Sequence, residues 1–524
     1  MSFMGTRLTT RALKNGMPIW VALVVAMVGG LLLRASFPAP AIWPFAFFGL
    51  ALILLALRGR SFWGGFLVGF VGGGALWGSL IFWLTLYLGP IPWLALCALM
   101  TLWVALSGGA IALVYRWSAK STSPWIEFGA VPSTVAALWS TRETIASTWP
   151  YGGFSWARLA YAQAESPFSH IVSWIGVGGL SFCIAFVVSL GLAIVTNPKR
   201  TPMLAWGLVT LSLVLIPVFP NHSTGTARVL VAQGNSNAGL FDAHNPGDIL
   251  NDHVSATLAA SDDPAAIGID MIVWPENGSD IDPLRSMNAA RAIDAVAKKF
   301  DAPVITGTIT NPGGDTFFNS SVVWSPGVGV TAQYDKMRPV PFAEYMPNRE
   351  FFRALVPDLV DLVSRDYSFG TRPNVVDING VSAGVSICFD ITDNSLTRAM
   401  IHDGAQLILA QTNNADFGTT DENLQQLAIA RLAAIESGRT VVNDSTVGTT
   451  AVIRFDGSTQ AQLPPYSPGY LIADVALSDS VTPAMIAGSF IEWSVVGFGI
   501  AGLVGLGLGS RARVRTSARA TAKN

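Results

Sequence analysis

Three expected strands in the chain each end on a group able to take part in catalysis. Glu276 closes "IVWPE", Lys336 closes "TAQYDK" and Cys388 closes "VSIC". A carboxylate, an ammonium and a thiol at strand ends, where function is usually mounted, suggest a nucleophile with a base and an electrostatic stabiliser. A thiol at neutral pH is only a few per cent thiolate, and a carboxylate in a partly desolvated pocket can take its proton. Lys336 can stabilise both that thiolate and the oxyanion of a tetrahedral intermediate, and the Phe389 backbone N–H offers a second donor. Each residue also has a simpler reading. A strand-end Glu or Lys usually just meets water, and a lone cysteine can be a small buried hydrophobe. Spacing alone does not choose between the two.

The surroundings of Cys388 sharpen the question. The chain has three cysteines. Cys97 and Cys183 fall inside long apolar stretches, which leaves Cys388 without a disulfide partner in the polar part of the chain. An unpaired thiol in an oxidising compartment is a candidate for reactivity. The five histidines, His170, His222, His244, His253 and His402, lack metal-site spacing. No Gly-rich phosphate loop is present. No metal, cofactor or nucleic acid is therefore expected.

The elements that position these groups follow from composition. Hydrophobic residues make up 51% and charged residues 13%, against roughly a quarter charged in a soluble protein. Only Glu127, Glu143 and Glu165 precede residue 226 and only Glu492 follows 480, so the other thirty of thirty-four acids lie between. The near-neutral balance hides two solvents, a membrane at the ends and water in the middle. Crossing about 30 Å of hydrocarbon takes about 20 apolar residues. Such stretches run near 18–34, 40–57, 62–88, 91–116, 124–141, 166–195, 202–220 and 484–508.

Basic residues set their orientation. Arg7, Arg11, Lys14, Arg58, Arg60, Arg116, Lys120, Lys199, Arg200 and the tail "RARVRTSARATAK" fall on one side, against Arg34, Arg142 and Arg158 in short loops on the other. Eight spans then give a membrane domain over 1–220, an exported domain over 221–483, an eighth span over 484–508 and a disordered basic cytoplasmic tail over 509–524. The basic, then apolar, amino end could mimic a secretory signal, but six further spans follow and no convincing cleavage site precedes them. It is read as an uncleaved anchor.

Within the exported part, short β-branched runs alternate with helical patterns. Strands are expected at "ARVLVAQGN", "IDMIVWPEN", "APVITGTIT", "FNSSVVWSP", "GVTAQYDKM", "GVSAGVSICFDI", "AQLILAQTNN" and "TVVNDSTVGTTAVIRFDG". Helices are expected near 247–261, 287–301, 393–402 and 421–438. Strands buried on both faces and alternating with helices mean α/β layering. Residues 351–363, "FFRALVPDLVDLV", carry an apolar stripe that reads equally as a lipid-touching lid and as a helix face packed on the domain.

"VWPENGSD", "YDKMRPVPFAEYMP" and "GVSICFDI" are similar to the Glu, Lys and Cys motifs of the carbon–nitrogen hydrolase (nitrilase) superfamily, in matching order and separation. Joined to seven spans before and one after, the chain resembles the apolipoprotein N-acyltransferase family. "WPYGGFSWARLAYAQAESP" is similar to a membrane-part motif of that family. The resemblance implies a nitrilase-like α-β-β-α sandwich beside a polytopic helical domain in a bacterial inner membrane. It implies Glu276 as general base, Lys336 as oxyanion-stabilising cation, Cys388 as nucleophile, and Glu344 as a second acid that positions the lysine or relays a proton. Asn319, in "FFNSSVV", has a supporting place. Phe389 and Asp390 match a pair that is often Tyr-Glu, and Asp390 has the shorter reach. Phe241 stands near a position often held by tryptophan and lacks its N–H.

The implied reaction moves an acyl group from phospholipid, through a Cys388 thioester, to the amino terminus of a diacylglyceryl lipoprotein. A palmitoyl-sized chain would cost on the order of 12 kcal/mol to bring into water, so the spans hold substrate as well as anchor. A membrane-tethered hydrolase and a non-catalytic sensor or transporter are the rival readings.

Overall fold

The computed structural model describes residues 16–236, 238–239 and 244–521. Phe241, Arg7, Arg11 and Lys14 lie outside the described residues. Contacts divide the chain into two compact units. One runs to Pro217, apart from Leu86–Leu88, and resumes at Ala487; the other is Val218–Ile486 with Leu86–Leu88.

The first unit is helical. Helices occupy Ile19–Ser36, Pro44–Ala56, Phe62–Leu80, Pro90–Ser118, Val131–Ala146, Val172–Thr196 and Arg200–Leu215, and the long helix Pro483–Thr521 enters it from Ala487. By length and composition, five helical segments among the described residues can cross a membrane; Pro44–Ala56 and Arg200–Leu215 are shorter apolar helices.

Two expectations need correcting. The third stretch is not one helix to residue 88: it stops at Leu80, turns through Ile81–Trp83 and resumes as Leu84–Leu88. Continuous hydropathy is blind to a turn made of Ile, Phe and Trp. The basic tail is also helical to Thr521, because Ala and Arg are good helix formers.

The packing in this unit depends on small residues. A Cβ on Gly65 would lie 2.6 Å from the Gly108 carbonyl oxygen, and one on Gly69 would lie 2.7 Å from that of Val104. Helices Phe62–Leu80 and Pro90–Ser118 therefore touch backbone to backbone, as small-residue stripes allow.

A buried charged cluster lies in the same unit. Glu143 Oε1 accepts from Arg142 Nη2 at 3.0 Å, Trp139 Nε1 at 3.0 Å and the Leu159 N–H at 3.1 Å. Glu492, on the last helix, pairs with Arg158 and accepts from Thr144 Oγ1 at 2.9 Å. Arg142 and Arg158, expected in short loops, are both buried, and Arg142 lies within helix Val131–Ala146. Ionisable groups in such surroundings survive by pairing.

The second unit is a sandwich of two six-stranded sheets. The first has the order β12-β1-β2-β3-β4-β5 and the second β11-β10-β9-β8-β7-β6. The strands are β1 Ser223–Gln233, β2 Met271–Val273, β3 Val304–Gly313, β4 Thr316–Ser325, β5 Gly329–Asp335 and β6 Val375–Ile378. They continue with β7 Val381–Ile387, β8 Leu407–Thr412, β9 Val441–Ser445, β10 Ala451–Ile453, β11 Thr459–Gln462 and β12 Gly469–Ser478.

Successive side chains alternate in direction. Val229 and Val231 of β1 thus meet Val385, Ile387, Leu407 and Leu409 between the sheets. Leu230 and Ala232 turn outward onto Leu250, Ile293 and Val296 of helices Asp248–Leu258 and Met287–Phe300. Each fully buried Val, Leu or Ile there contributes about 1.5–3 kcal/mol. Helices Asn394–His402 and Glu422–Ser437 cover β7 and β9, which completes the α-β-β-α layering expected.

Strands β6, β11 and β12 were not expected. The single run expected from Thr440 to Gly457 is instead the antiparallel pair β9 and β10. The apolar stripe at 351–363 also divides. Helices Arg349–Leu355 and Pro357–Val360 bury Val360 and Val363 against Met346, while Phe351 and Leu355 stay exposed.

Candidate active site

Glu276, Asn413 and Cys388 each lie just past the carboxyl end of a parallel-paired strand, β2, β8 and β7 respectively. Such ends are where α/β sheets present ligands. At β2, Trp274 is fully buried and donates from Nε1 to Thr257 Oγ1 at 2.8 Å, anchoring the strand end. The turn that follows crosses β3 at Gly307, whose N–H donates to the Pro275 carbonyl at 3.1 Å. A Cβ at Gly307 would sit 2.6 Å from the Glu276 Cα, so only glycine admits this approach.

Lys336 follows β5 and is tied at both backbone groups. Its N–H donates to the Asn319 carbonyl at 2.8 Å, and its own carbonyl accepts from Gly370 N–H at 2.9 Å. Asp335, immediately before it, is held by Ser320 Oγ at 2.6 Å, Gln333 Nε2 at 2.7 Å and the Arg372 guanidinium.

Cys388 has φ of +50°, the left-handed region that costs a non-glycine residue about 1–3 kcal/mol and tends to occur at functional sites. The 3-10 turn Cys388–Thr392 follows it. Asp390 holds this kink: its carboxylate accepts from Tyr334 OH at 2.8 Å, Arg338 N–H at 2.9 Å and Ile387 N–H at 3.3 Å. The shorter aspartate therefore does reach partners. Burial pushes its carboxyl up to about 6, against the pull of Lys336 and the donors around it.

Glu276 and Lys336 meet Glu344 and Asn319, and Cys388 stands within electrostatic reach of the same acids and lysine. Lys336 Nζ lies 3.1 Å from Glu276 Oε1 and 2.8 Å from Glu344 Oε2. Asn319 Nδ2 bridges the same two acids, at 2.8 Å from Glu276 Oε1 and 2.7 Å from Glu344 Oε1. Val340 N–H completes Glu344 at 2.7 Å, and Asn413 N–H completes Glu276 Oε2 at 2.8 Å.

Burial would lower the Lys336 ammonium, but Glu276 and Glu344 prevail and hold it well above its ordinary value. Cys388 keeps some solvent exposure, yet the protein packed round it pushes the thiol well above its ordinary value. Glu276, Glu422 and Glu344 add to that rise, and Lys336 opposes it. The resting sulfur is thus a thiol beside a carboxylate, an arrangement able to transfer the proton at the moment of attack. Among the described residues, no group of three or more His, Cys, Asp or Glu could hold a metal.

The apolipoprotein N-acyltransferase N-terminal domain matches residues 29–190, and the carbon-nitrogen hydrolase domain matches residues 246–482. The apolipoprotein N-acyltransferase of Mycolicibacterium smegmatis is 32% identical over 521 residues, an alignment covering 92% of this chain and 84% of that one. The chain belongs to the apolipoprotein N-acyltransferase family. The Geobacter metallireducens apolipoprotein N-acyltransferase is 26% identical over 495 residues, 90% of this chain and 93% of that one. A Nesterenkonia amidase of the nitrilase superfamily superposes with a TM-score of 0.37 at 17% identity, covering 49% of this chain and 94% of its own.

In this member of the apolipoprotein N-acyltransferase family the site also contains residues that the sequence did not single out. Asn413, Asn414, Glu422 and Gln426 are all buried or nearly so around Cys388 and Glu276. The expected strand "AQLILAQTNN" covers both asparagines, but nothing in it tells which backbone N–H meets Glu276. Tyr87, from the short segment grouped with the sandwich, places its ring 6.0 Å from that of Phe417.

Proposed function

We propose that the chain transfers a fatty acyl group from a phospholipid to the free amino terminus of a diacylglyceryl-cysteine lipoprotein. The observation that carries this reading is the buried Lys336 clamped between Glu276 and Glu344, beside a cysteine held in the left-handed conformation. Glu276 takes the thiol proton as the sulfur attacks the ester carbonyl. Lys336 and the Phe389 N–H stabilise the oxyanion that develops. As the C–O bond breaks, the lysophospholipid oxygen leaves with the proton from Glu276, and Cys388 holds the acyl group as a thioester. The acceptor amine then attacks the thioester carbonyl, its proton passes to Glu276, the C–S bond breaks to give an amide, and Glu276 returns the proton to the departing sulfur to restore the cysteine.

The test uses purified protein with phospholipid, with and without a diacylglyceryl peptide, weighing protein and peptide. The peptide should gain one acyl chain. Fatty acid released at the same rate without peptide would mean that water is the acceptor, as in a tethered hydrolase.

The membrane reading divides the chain at the expected bounds: seven spans over 1–220, a catalytic domain over 221–483, an eighth span over 484–508 and a basic segment over 509–524. It places the catalytic domain on the extracytoplasmic side of a bacterial inner membrane. The apolar helices and the basic-residue asymmetry support it, and the asymmetry is cleaner once Arg142 and Arg158 are counted as buried pairs. Cysteines introduced at Gly225 and Asp479 should react with an impermeant label from outside, and one at Ser517 only after the membrane is opened. Labelling of position 517 in intact cells would remove the eight-span arrangement.

A further inference from the structure

We infer that Gln426 is a further catalytic residue: its side-chain amide donates to Cys388 Sγ and stabilises the thiolate as it forms and as it leaves. The inference rests on Cys388 being the nucleophile, as proposed above, and assigns its sulfur a partner other than the acid–lysine cluster.

Gln426 Nε2 lies 3.7 Å from Cys388 Sγ, within hydrogen-bonding range for sulfur. An amide can present either its N–H₂ or its carbonyl, so its orientation must be fixed by its neighbours. The surrounding network fixes it. Ser445 Oγ accepts from Gly448 N–H at 2.8 Å and donates to Asn414 Oδ1 at 2.6 Å. Thr412 Oγ1 donates to the same oxygen at 2.8 Å. Asn414 must then direct its Nδ2 the other way, and it donates to Glu422 Oε2 at 2.7 Å and Gln426 Oε1 at 2.9 Å. With its oxygen occupied in that way, Gln426 has only its N–H₂ to turn toward the sulfur.

Sequence builds this arrangement simply. Glu422 and Gln426 stand four residues apart on helix Glu422–Ser437 and so share a face. Both are buried, at 3% and 2% exposure. A carboxylate so close to a forming thiolate would oppose it. Burial pushes Glu422 up to about 8, with Glu276 and Asp416 adding to the rise and the Asn414 donor opposing it, so at neutral pH it is held as the acid. In the first half-reaction the S–H proton passes to Glu276 while the Gln426 N–H remains on nitrogen and donates to the new thiolate. In the second, the same N–H meets the sulfur as the C–S bond breaks.

The test is made on the full-length protein in detergent with phospholipid alone, by mass on the peptide containing Cys388. Gln426→Leu, of similar volume, should form the thioester about tenfold more slowly or worse, because a hydrogen bond to a charged group is lost. Gln426→Glu keeps the shape; buried as Glu422 is, its carboxyl retains an O–H donor while protonated and offers none once ionised, so its thioester formation should fall further as pH rises. A merely structural glutamine would affect only the melting temperature, so the deciding readout is the pH dependence of Cys388 alkylation by iodoacetamide.

The titratable groups bearing on that sulfur are Glu276, Lys336, Glu422 and Glu344; all four remain in both variants, but Gln426→Glu adds a carboxyl beside the sulfur, so the shift in Gln426→Leu is the one that decides. The alkylation profile should move to higher pH in each variant that folds. An unchanged profile with an unchanged thioester rate in either variant overturns the inference. Should the wild-type protein gain no acyl mass on Cys388, the acyl-transfer reading fails instead, and the alkylation profile, which needs no lipid, still decides on Gln426.

Discussion

Cys388→Ala is expected to abolish acyl transfer and to leave no acylated protein at any time of incubation with phospholipid. Two large substrates that cannot easily occupy one narrow site together favour the covalent ping-pong route proposed above, and with no acceptor present the thioester should accumulate in the wild-type protein. One fatty-acyl mass should then appear on the peptide containing Cys388, and hydroxylamine should release it. Cys388→Ser is the more informative partner. The serine hydroxyl lacks the polarisable sulfur, and an oxygen ester is a poorer acyl donor to an amine. Slow acylation followed by a stalled second step is expected, and full turnover in Cys388→Ala would falsify the mechanism.

Lys336→Ala is expected to lower the rate of thioester formation by about 10²–10³ or more, the usual cost of removing one oxyanion donor. It also removes the cation between two buried carboxylates, and breaking a buried pair costs about 3–5 kcal/mol. In the wild-type protein the lysine sits well above its ordinary 10.5, burial being outweighed by Glu276 and Glu344. Its stabilising contribution is therefore complete below that value and is lost only as pH rises through the higher folded-state value. The variant should therefore melt at a lower temperature than the wild type. Glu276→Gln keeps much of the shape but cannot take the thiol proton, so it should match the rate loss with a smaller change in stability. Near-normal thioester formation in either variant would show that these strand-end charges serve the fold alone.

Glu276, Lys336 and Cys388 were legible as chemically capable groups at the ends of expected strands, a pattern that survives without knowledge of the fold. Most strands and helices of the sandwich were legible for the same reason, with ends shifted by a few residues. Strand β12 was not, since "GYLIADVALS" has a clear alternation only once β1 is known to lie beside it. The turn at Ile81–Trp83 was hidden by its own hydrophobicity. The site's amides were hidden more deeply. Asn319 entered by resemblance, whereas Gln426 and Asn414 are one polar residue among several on their segments. What gives them a task is the direction of each N–H, and that depends on Ser445 and Gly448 some twenty to thirty residues away. Asp390 was legible as a position but not as a brace, because its three donors come from β5, the segment after it and β7.

The Arg158–Glu492 pair carries a consequence for how the protein is made. Its partners are separated by 334 residues of chain, which a ribosome takes roughly 20–70 s to add. Throughout that interval the whole sandwich is being synthesised, and Arg158 has no Glu492 to neutralise it. The helical unit must then wait, partly assembled, with a cation that water, lipid headgroups or an insertion factor has to satisfy. Arrival of the final helix closes the circuit. A nascent chain stopped before Glu492 thus carries the whole sandwich sequence but lacks the acid that pairs with Arg158 in the finished protein.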